Sequence, residues 1–170
     1  MLLRTLTFTL IAATLLMTVN SCQKEENTTQ LTIRLTDNPY NATEVNVDIK
    51  EVQVNMRDDD GGWITLNTNR RVYNLLDLQN GIDTVLAQGI VPTGAVREIR
   101  FVLGKQNSIT IDSATYPLTI PSGGESGLKI KISKELTSSV DSLLIDFDAA
   151  LSILQEGTGD YKLRPVLKIK

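Results

Sequence analysis

The chain has 170 residues, of which 41% are apolar and 22% charged, a balance that fills the core of one globular domain. Its 17 basic and 20 acidic residues give a net charge of −3 with no basic block, which argues against nucleic acid as a partner. There is no histidine and one cysteine, so imidazole-based nucleophilic sites, zinc sites built with histidine and intrachain disulfides are excluded.

Residues 1–21 read as a cleaved signal peptide: Arg4 supplies a short positive start, and Leu6 to Met17 is apolar or small, the length of an h-region. The run is shorter than the roughly 20 apolar residues that a spanning helix needs. The alternative is a buried core helix. "TVNSC" then resembles a bacterial lipobox, with aliphatic Val19 three places before Cys22 and small Ser21 one before it, although Asn20 is unusual between them. The resemblance implies diacylglycerol on the Cys22 sulfur, cleavage before it and acylation of the new amine. Two or more chains hold a protein durably where one binds marginally, at about 0.8 kcal/mol per buried CH₂. "CQKEE" resembles the export signal of Bacteroidota surface lipoproteins, carried here by Gln23, Lys24, Glu25 and Glu26. The bland alternative is a solvated tether, spanning about 16 Å over residues 23–30 as a flexible chain. The two resemblances imply a protein anchored at the bacterial outer membrane and facing the exterior; cleavage would leave a net charge of −4 after loss of Arg4 (16 basic against 20 acidic residues).

From Leu31 the period is two. Leu31, Ile33 and Leu35 share one face of "LTIRLT", and "DNPYN" ends that strand with turn chemistry. Val45, Val47 and Ile49 alternate, then Val52, Val54 and Met56 alternate in the opposite phase. That phase change predicts a β-bulge or break near Lys50–Glu51. "RDDDGG" reads as a hairpin loop, "GWITL" as a short strand and "RVYNLLDL" as a strand running into the turn "QNG". "IDTVLAQGIV" reads as a strand or an irregular edge.

"VPTGAVREIRFVLG" is a turn and a strong strand with Ile99, Phe101 and Leu103 inward. "SITIDSATYPLTI" is a hairpin turning at 112–114, and "PSGGESG" a loop. "LKIKI" and "LLIDFD" place Leu128, Ile130, Ile132, Leu143, Ile145 and Phe147 inward. A short helix is expected over 149–155, capped by Asp148 and ended by Gly157. "YKLRPVLKIK" closes the chain as one strand, with Pro165 at an edge or bulge. Short strands with turn signals every 8–12 residues predict an all-β, antiparallel β-sandwich, immunoglobulin-like or transthyretin-like, as one domain over 31–170 behind a lipidated tether at 22–30.

Seven blocks in order, "LTIRLTDNPY", "GWITL", "NLLDLQNG", "VPTGAVREIRFVLG", "YPLTIPSGGESGLKI", "LIDFDAALSI" and "YKLRPVLKI", resemble the lipoprotein family of the domain of unknown function 4382. The resemblance covers Leu31 to Lys170 and implies a secreted or surface β-sandwich without an assigned reaction. "PTGAVREIRF" also resembles the turn and strand of transthyretin-like sandwiches, an analogy of fold alone.

Asp146 and Asp148 in "DFDAA" fall on one strand face, and Asp37, Asn38 or Asp112 would add oxygens to a Ca²⁺ site of six to eight ligands if the fold gathers them. The competing structural reading makes Asp148 a cap and pairs Asp146 across strands with Lys129 or Lys131. The same two carboxylates as a glycosidase pair would stand about 5–5.5 Å apart for retention or 6.5–9.5 Å for inversion. "DDDGG" lacks the spacing of a calcium loop and reads as a hairpin tip. Trp63, after a glycine turn, is the candidate for glycan stacking; Tyr40, Tyr73, Tyr116 and Tyr161 read as core or rim. The reading of the whole is a non-catalytic, lipid-anchored surface domain without a cofactor, binding a glycan or an envelope protein. The alternatives are a structural or assembly lipoprotein with no small ligand, and a hydrolase using carboxylates alone.

Overall fold

The computed structural model describes residues 27–38, 40–57, 59–121, 127–157 and 159–170. Cys22 with its signal peptide and export residues, Pro39, Asp58 and most of "PSGGESG" lie outside the described residues. The fold is all-β and sandwich-like, built from two mixed sheets. In chain order the strands are β1 at 28–36, β2 at 44–55, β3 at 63–65, β4 at 67–68, β5 at 71–74, β6 at 84–92, β7 at 94–103, β8 at 108–111, β9 at 114–119, β10 at 128–136, β11 at 140–147, β12 at 153–156, β13 at 160–163 and β14 at 167–169. One sheet has the order β14-β11-β1-β6-β4, and the larger runs β10-β7-β2-β8-β9-β13-β12 with β3 and β5 also on β2.

The strands follow from the alternation. β1 (Thr28–Thr36) buries Leu31, Ile33 and Leu35 completely and begins three residues before the expected domain boundary at Leu31. β2 (Glu44–Asn55) is one long strand that keeps its core face through the predicted irregularity. Its register against β7 shifts between Ile49 and Glu51, so both Val45, Val47 and Ile49 and then Val52 and Val54 point inward. Leu143, Ile145 and Phe147 of β11 (Val140–Phe147) close the core from the first sheet. Val96, Ile99 and Phe101 of β7 (Gly94–Leu103) close it from the second.

Two segments cross between sheets and seal the sides. Trp63–Thr65 (β3) pairs with β2, and Asn67–Thr68 (β4) pairs with β6 (Thr84–Pro92) of the other sheet. β6 lies between β1 and β4, so the segment "IDTVLAQGIV" is an interior strand and not an edge. The last segment also divides. Asp160–Leu163 (β13) pairs with Ile153–Glu156 (β12), and Leu167–Ile169 (β14) pairs with β11. Pro165 stands at the break, because it has no N–H to give to a ladder. The expected single closing strand is therefore two.

β5 (Arg71–Asn74) ends earlier than expected, since Leu75–Leu78 forms a 3-10 turn whose Leu76 N–H donates to Asn74 Oδ1. The expected hairpin of β8 (Ser108–Ile111) and β9 (Ala114–Thr119) is present, with Asp112 and Ser113 both at positive φ, as a type I′ turn requires. β10 (Leu128–Leu136) alternates as expected and lies at a sheet edge.

Two expectations are corrected by topology. The sheets are not wholly antiparallel, since β1 runs parallel to β11 and β13 parallel to β9. The helix over 149–155 is a single turn, Ala149–Ser152. Its termination has a local cause. Buried Ser152 accepts the Arg164 N–H on its carbonyl (2.8 Å) and the Val166 N–H on Oγ (2.8 Å), so the next residue, Ile153, turns outward into β12. Gly157 ends that strand rather than the helix.

Candidate functional site

Asp37, Asp146 and Asp148 do come together, at the end of the first sheet where β1, β11 and β14 meet. Asp146 stands opposite Thr36 on β1 and Lys168 on β14. All three carboxylates are buried, Asp146 to 1% exposure. Asp37 Oδ1 accepts the Ala149 N–H at 2.9 Å, and Oδ2 accepts from Gln79 Nε2 at 3.4 Å. Asp148 Oδ1 caps the helical turn by accepting the Leu151 N–H at 3.0 Å, and its Oδ2 meets Lys168 Nζ at 2.7 Å. Asp146 Oδ2 accepts from Asn38 Nδ2 at 2.7 Å and faces Lys170 Nζ at 3.1 Å. Lys170 Nζ also donates to Asn38 Oδ1 at 3.0 Å.

The charges settle differently on each acid. Burial lifts the Asp37 carboxyl to about 6, against the pull of its amide donors and with a further push from the Asp146 charge. Burial would raise Asp148 too, but the Lys168 ammonium and the Leu151 N–H hold it below the usual carboxylate range. Lys168 is raised in turn by its bond to Asp148.

This geometry corrects one expectation: Asp146 pairs with Lys170, not with Lys129 or Lys131, which lie on β10 of the other sheet. It also shows what a cation would have to displace. Two lysine ammonium groups already stand beside Asp146 and Asp148, and Asp37 is committed to two neutral donors. Asp146 Oδ1 is the one oxygen of the three carboxylates that is buried without a hydrogen-bond partner. Among the described residues, no group of three or more acidic or cysteine side chains has an ion-holding arrangement. Asp112 sits at the exposed β8–β9 turn, away from this sheet end.

Trp63 lies on the outer face of the larger sheet. There it follows Lys131, Glu98 and Asn55 in one cross-strand row, and the next row is Lys129, Arg100, Gln53 and Thr65. The indole is half-buried and its face is taken: the Arg100 guanidinium carbon stands 3.9 Å from the ring centroid and Lys129 Nζ 5.3 Å. Arg100 Nη1 is tied to Gln53 Oε1 at 3.1 Å. Beside this row lies a hollow of about 280 Å³ lined by Arg57, Arg97, Glu98, Lys131 and Ile132. The tyrosines are core or rim: Tyr73 and Tyr161 are buried, and Tyr40 and Tyr116 pack against the core.

Sequence reasoning passed over Asp48, a fourth buried carboxylate. It holds the β7–β8 turn: Asp48 N donates to Asn107 Oδ1 at 2.9 Å, Gly104 N donates to Asp48 O at 2.7 Å, and Oδ1 faces Lys50 Nζ at 2.8 Å. The available signal was an acid between Val47 and Ile49 with a lysine two places on. A larger hollow of about 610 Å³ lies where the described chain begins, lined by Asn27, Thr28, Thr93 and Leu136 to Ser139, with no charged group among the described residues.

A family model described as a domain of unknown function (DUF4382) matches residues 28–165. The chain belongs to the DUF4382 family. The DUF4382 match begins at the first residue of β1 and takes in Asp37, Trp63, Asp146 and Asp148, while Lys168 and Lys170 lie beyond it. No curated protein and no solved structure matches the chain.

Proposed function

We propose that this chain is a non-catalytic, lipid-anchored domain of the outer membrane, displayed outward, which binds a glycan or an envelope protein. The observation that carries the reading is the state of the buried acids. Asp146 and Asp148 are the pair that the sequence offered for catalysis, with Asp37 beside them as a possible metal ligand, and each is spent on the fold through a cap, a backbone amide or a lysine. A general acid or nucleophile needs a carboxyl that substrate can reach. The reading calls for no cofactor. Its location rests on Cys22, which stands six residues before β1, so an acyl anchor there would hold the sandwich close to the membrane.

The test is detergent phase partition. The full chain made in its secreting host should enter the detergent phase, and Cys22→Ala should leave it for the aqueous phase. A Cys22→Ala chain that stays in the detergent phase would overturn the anchor.

A second reading, assembly without a small ligand, is favoured by one feature. Ile90 and Val140 flank Gln30 in a cross-strand row on the outer face of the smaller sheet, each 67% exposed. Two isolated side chains are below the size of an ordinary interface patch, so this reading stands second.

A further inference from the structure

Five cations gather on the outer face of the larger sheet of a chain whose net charge is negative. Lys129 and Lys131 lie on β10, Arg100 and Arg97 on β7, and Arg57 just beyond the end of β2. Along β10 the two lysines repeat every second residue, about 7 Å apart. Among the described residues, Arg57, Arg97 and Lys131 line the 280 Å³ hollow, with Glu98 as its one carboxylate. Glu98 is the cross-strand partner of Lys131, yet the two form no ion pair, and neither Arg57 nor Lys131 has a carboxylate within 4.0 Å among the described residues. Lys129 has only Asp60, at 3.5 Å, and Asp60 is 93% exposed, so that pair contributes little.

Among the described residues, the buried polar atoms without partners beside the hollow and the indole are both N–H donors, Trp63 Nε1 and Arg100 Nε, while Asp48 Oδ1, also without a hydrogen bond, lies farther along β2 at the β7–β8 turn. A buried donor without an acceptor destabilises the fold until something supplies one. Glu51 and Asp60 also stand on this face, so the uncompensated charge is local: at the hollow Arg57 and Lys131 are unpaired among the described residues, two donors beside them are unbonded, and a ligand there must bring acceptor oxygens and negative charge. A neutral sugar would find the indole already covered by Arg100. A carboxylate or sulfate near the hollow would instead draw the guanidinium toward itself, because a charged oxygen pair is a stronger partner than a ring face. That movement uncovers the indole for the sugar ring carrying the charge. The hollow is near the lower end of the range for small-ligand pockets, about 300–1,000 Å³, which suits one charged sugar unit. The cations continuing along β10 suit the next.

We propose that the outer face of the larger sheet is a binding site for an anionic polysaccharide, with Arg57 and Lys131 holding a carboxylate or sulfate at the hollow and Trp63 receiving the sugar ring. This rests on the binding reading above and names its ligand class.

The test titrates the full chain in non-ionic detergent with dextran sulfate, polygalacturonate, neutral dextran and vesicles of anionic phospholipid. Dextran sulfate and polygalacturonate should bind, weakening as salt rises, and dextran should not. The double variant Arg57→Gln, Lys131→Gln should weaken polysaccharide binding at least tenfold. The control Arg70→Gln, Lys105→Gln removes the same charge at exposed positions elsewhere and should change it less than twofold. Indole fluorescence should shift on binding in the wild type, because Arg100 leaves the ring. Equal binding by both double variants, equal binding of dextran, or vesicles bound in preference to either polysaccharide would overturn the proposal. Detergent partition of Cys22→Ala is unaffected by any of these results, so the anchor and the ligand fail separately.

Discussion

Asp37 offers a quantitative test of the buried acidic cluster. Its carboxyl titrates at about 6 in the folded chain against 3.8 in the free side chain, and burial is the main cause. The folded state therefore holds a proton that the unfolded state has lost between pH 3.8 and about 6. In that window the native chain binds more protons, so stability falls as pH rises, and it levels off above about 6. At roughly 1.36 kcal/mol per pK unit, the loss is about 2–3 kcal/mol. Asp37→Asn removes the titration and keeps an acceptor for the Ala149 N–H, while Gln79 can present its carbonyl to the new amide. The assay is urea unfolding of both chains at several pH values between 4 and 7.5. The variant should gain about 2–3 kcal/mol on the wild type across that range, a midpoint shift of roughly 1 M for a slope of about 2 kcal/mol/M. A difference that stays constant to within about 0.5 kcal/mol from pH 4 to 7.5 would refute the assignment of the shift to Asp37.

The other perturbations follow the same contacts. A Cβ on Gly104 would overlap Asp48 Oδ2, which accepts the Gln106 N–H while Lys50 holds Oδ1, so Gly104→Ala should cost about 1–3 kcal/mol and lower the Tm by roughly 3–10 °C. An unchanged Tm would mean that the Asp48 turn yields freely. Millimolar calcium should leave the Tm of the full chain where it is, because Lys168 and Lys170 already neutralise Asp148 and Asp146. A rise of several degrees that Asp146→Asn abolishes would replace the lysine pairing with a metal site.

Where one face of a strand meets the core, the sequence carried the answer. The alternation of Leu31, Ile33 and Leu35 and of Leu143, Ile145 and Phe147 has no other period, and the phase change after Ile49 announced the bulge because a slip there would have exposed Val52 and Val54. Asp148 as a cap was legible because capping is decided within four residues. Pairing between distant segments was not. Nothing local says that β1 lies beside β11 in parallel, or that β14 lies on β11's other side, and those two facts decide which lysine meets Asp146. The helix was over-read for the same reason. "AALSILQE" has helical spacing, but Ser152 is bonded to residues 164–166, and Ile153 is taken into a strand opposite Leu163. Trp63 follows a glycine turn and stands on the outer face, but it is half-buried rather than open, because the cations over it come from two other strands and could not be read from its neighbours.

The central claim is an anchored domain displayed on the outside of the cell, and protease treatment of intact cells tests it most directly. The wild-type chain should be cleaved from intact cells. The chain with Lys24, Glu25 and Glu26 replaced by Ala should be protected until the cells are broken, while both still partition into detergent. A wild-type chain that survives on intact cells, or a triple variant cleaved as readily as the wild type, would contradict the claim.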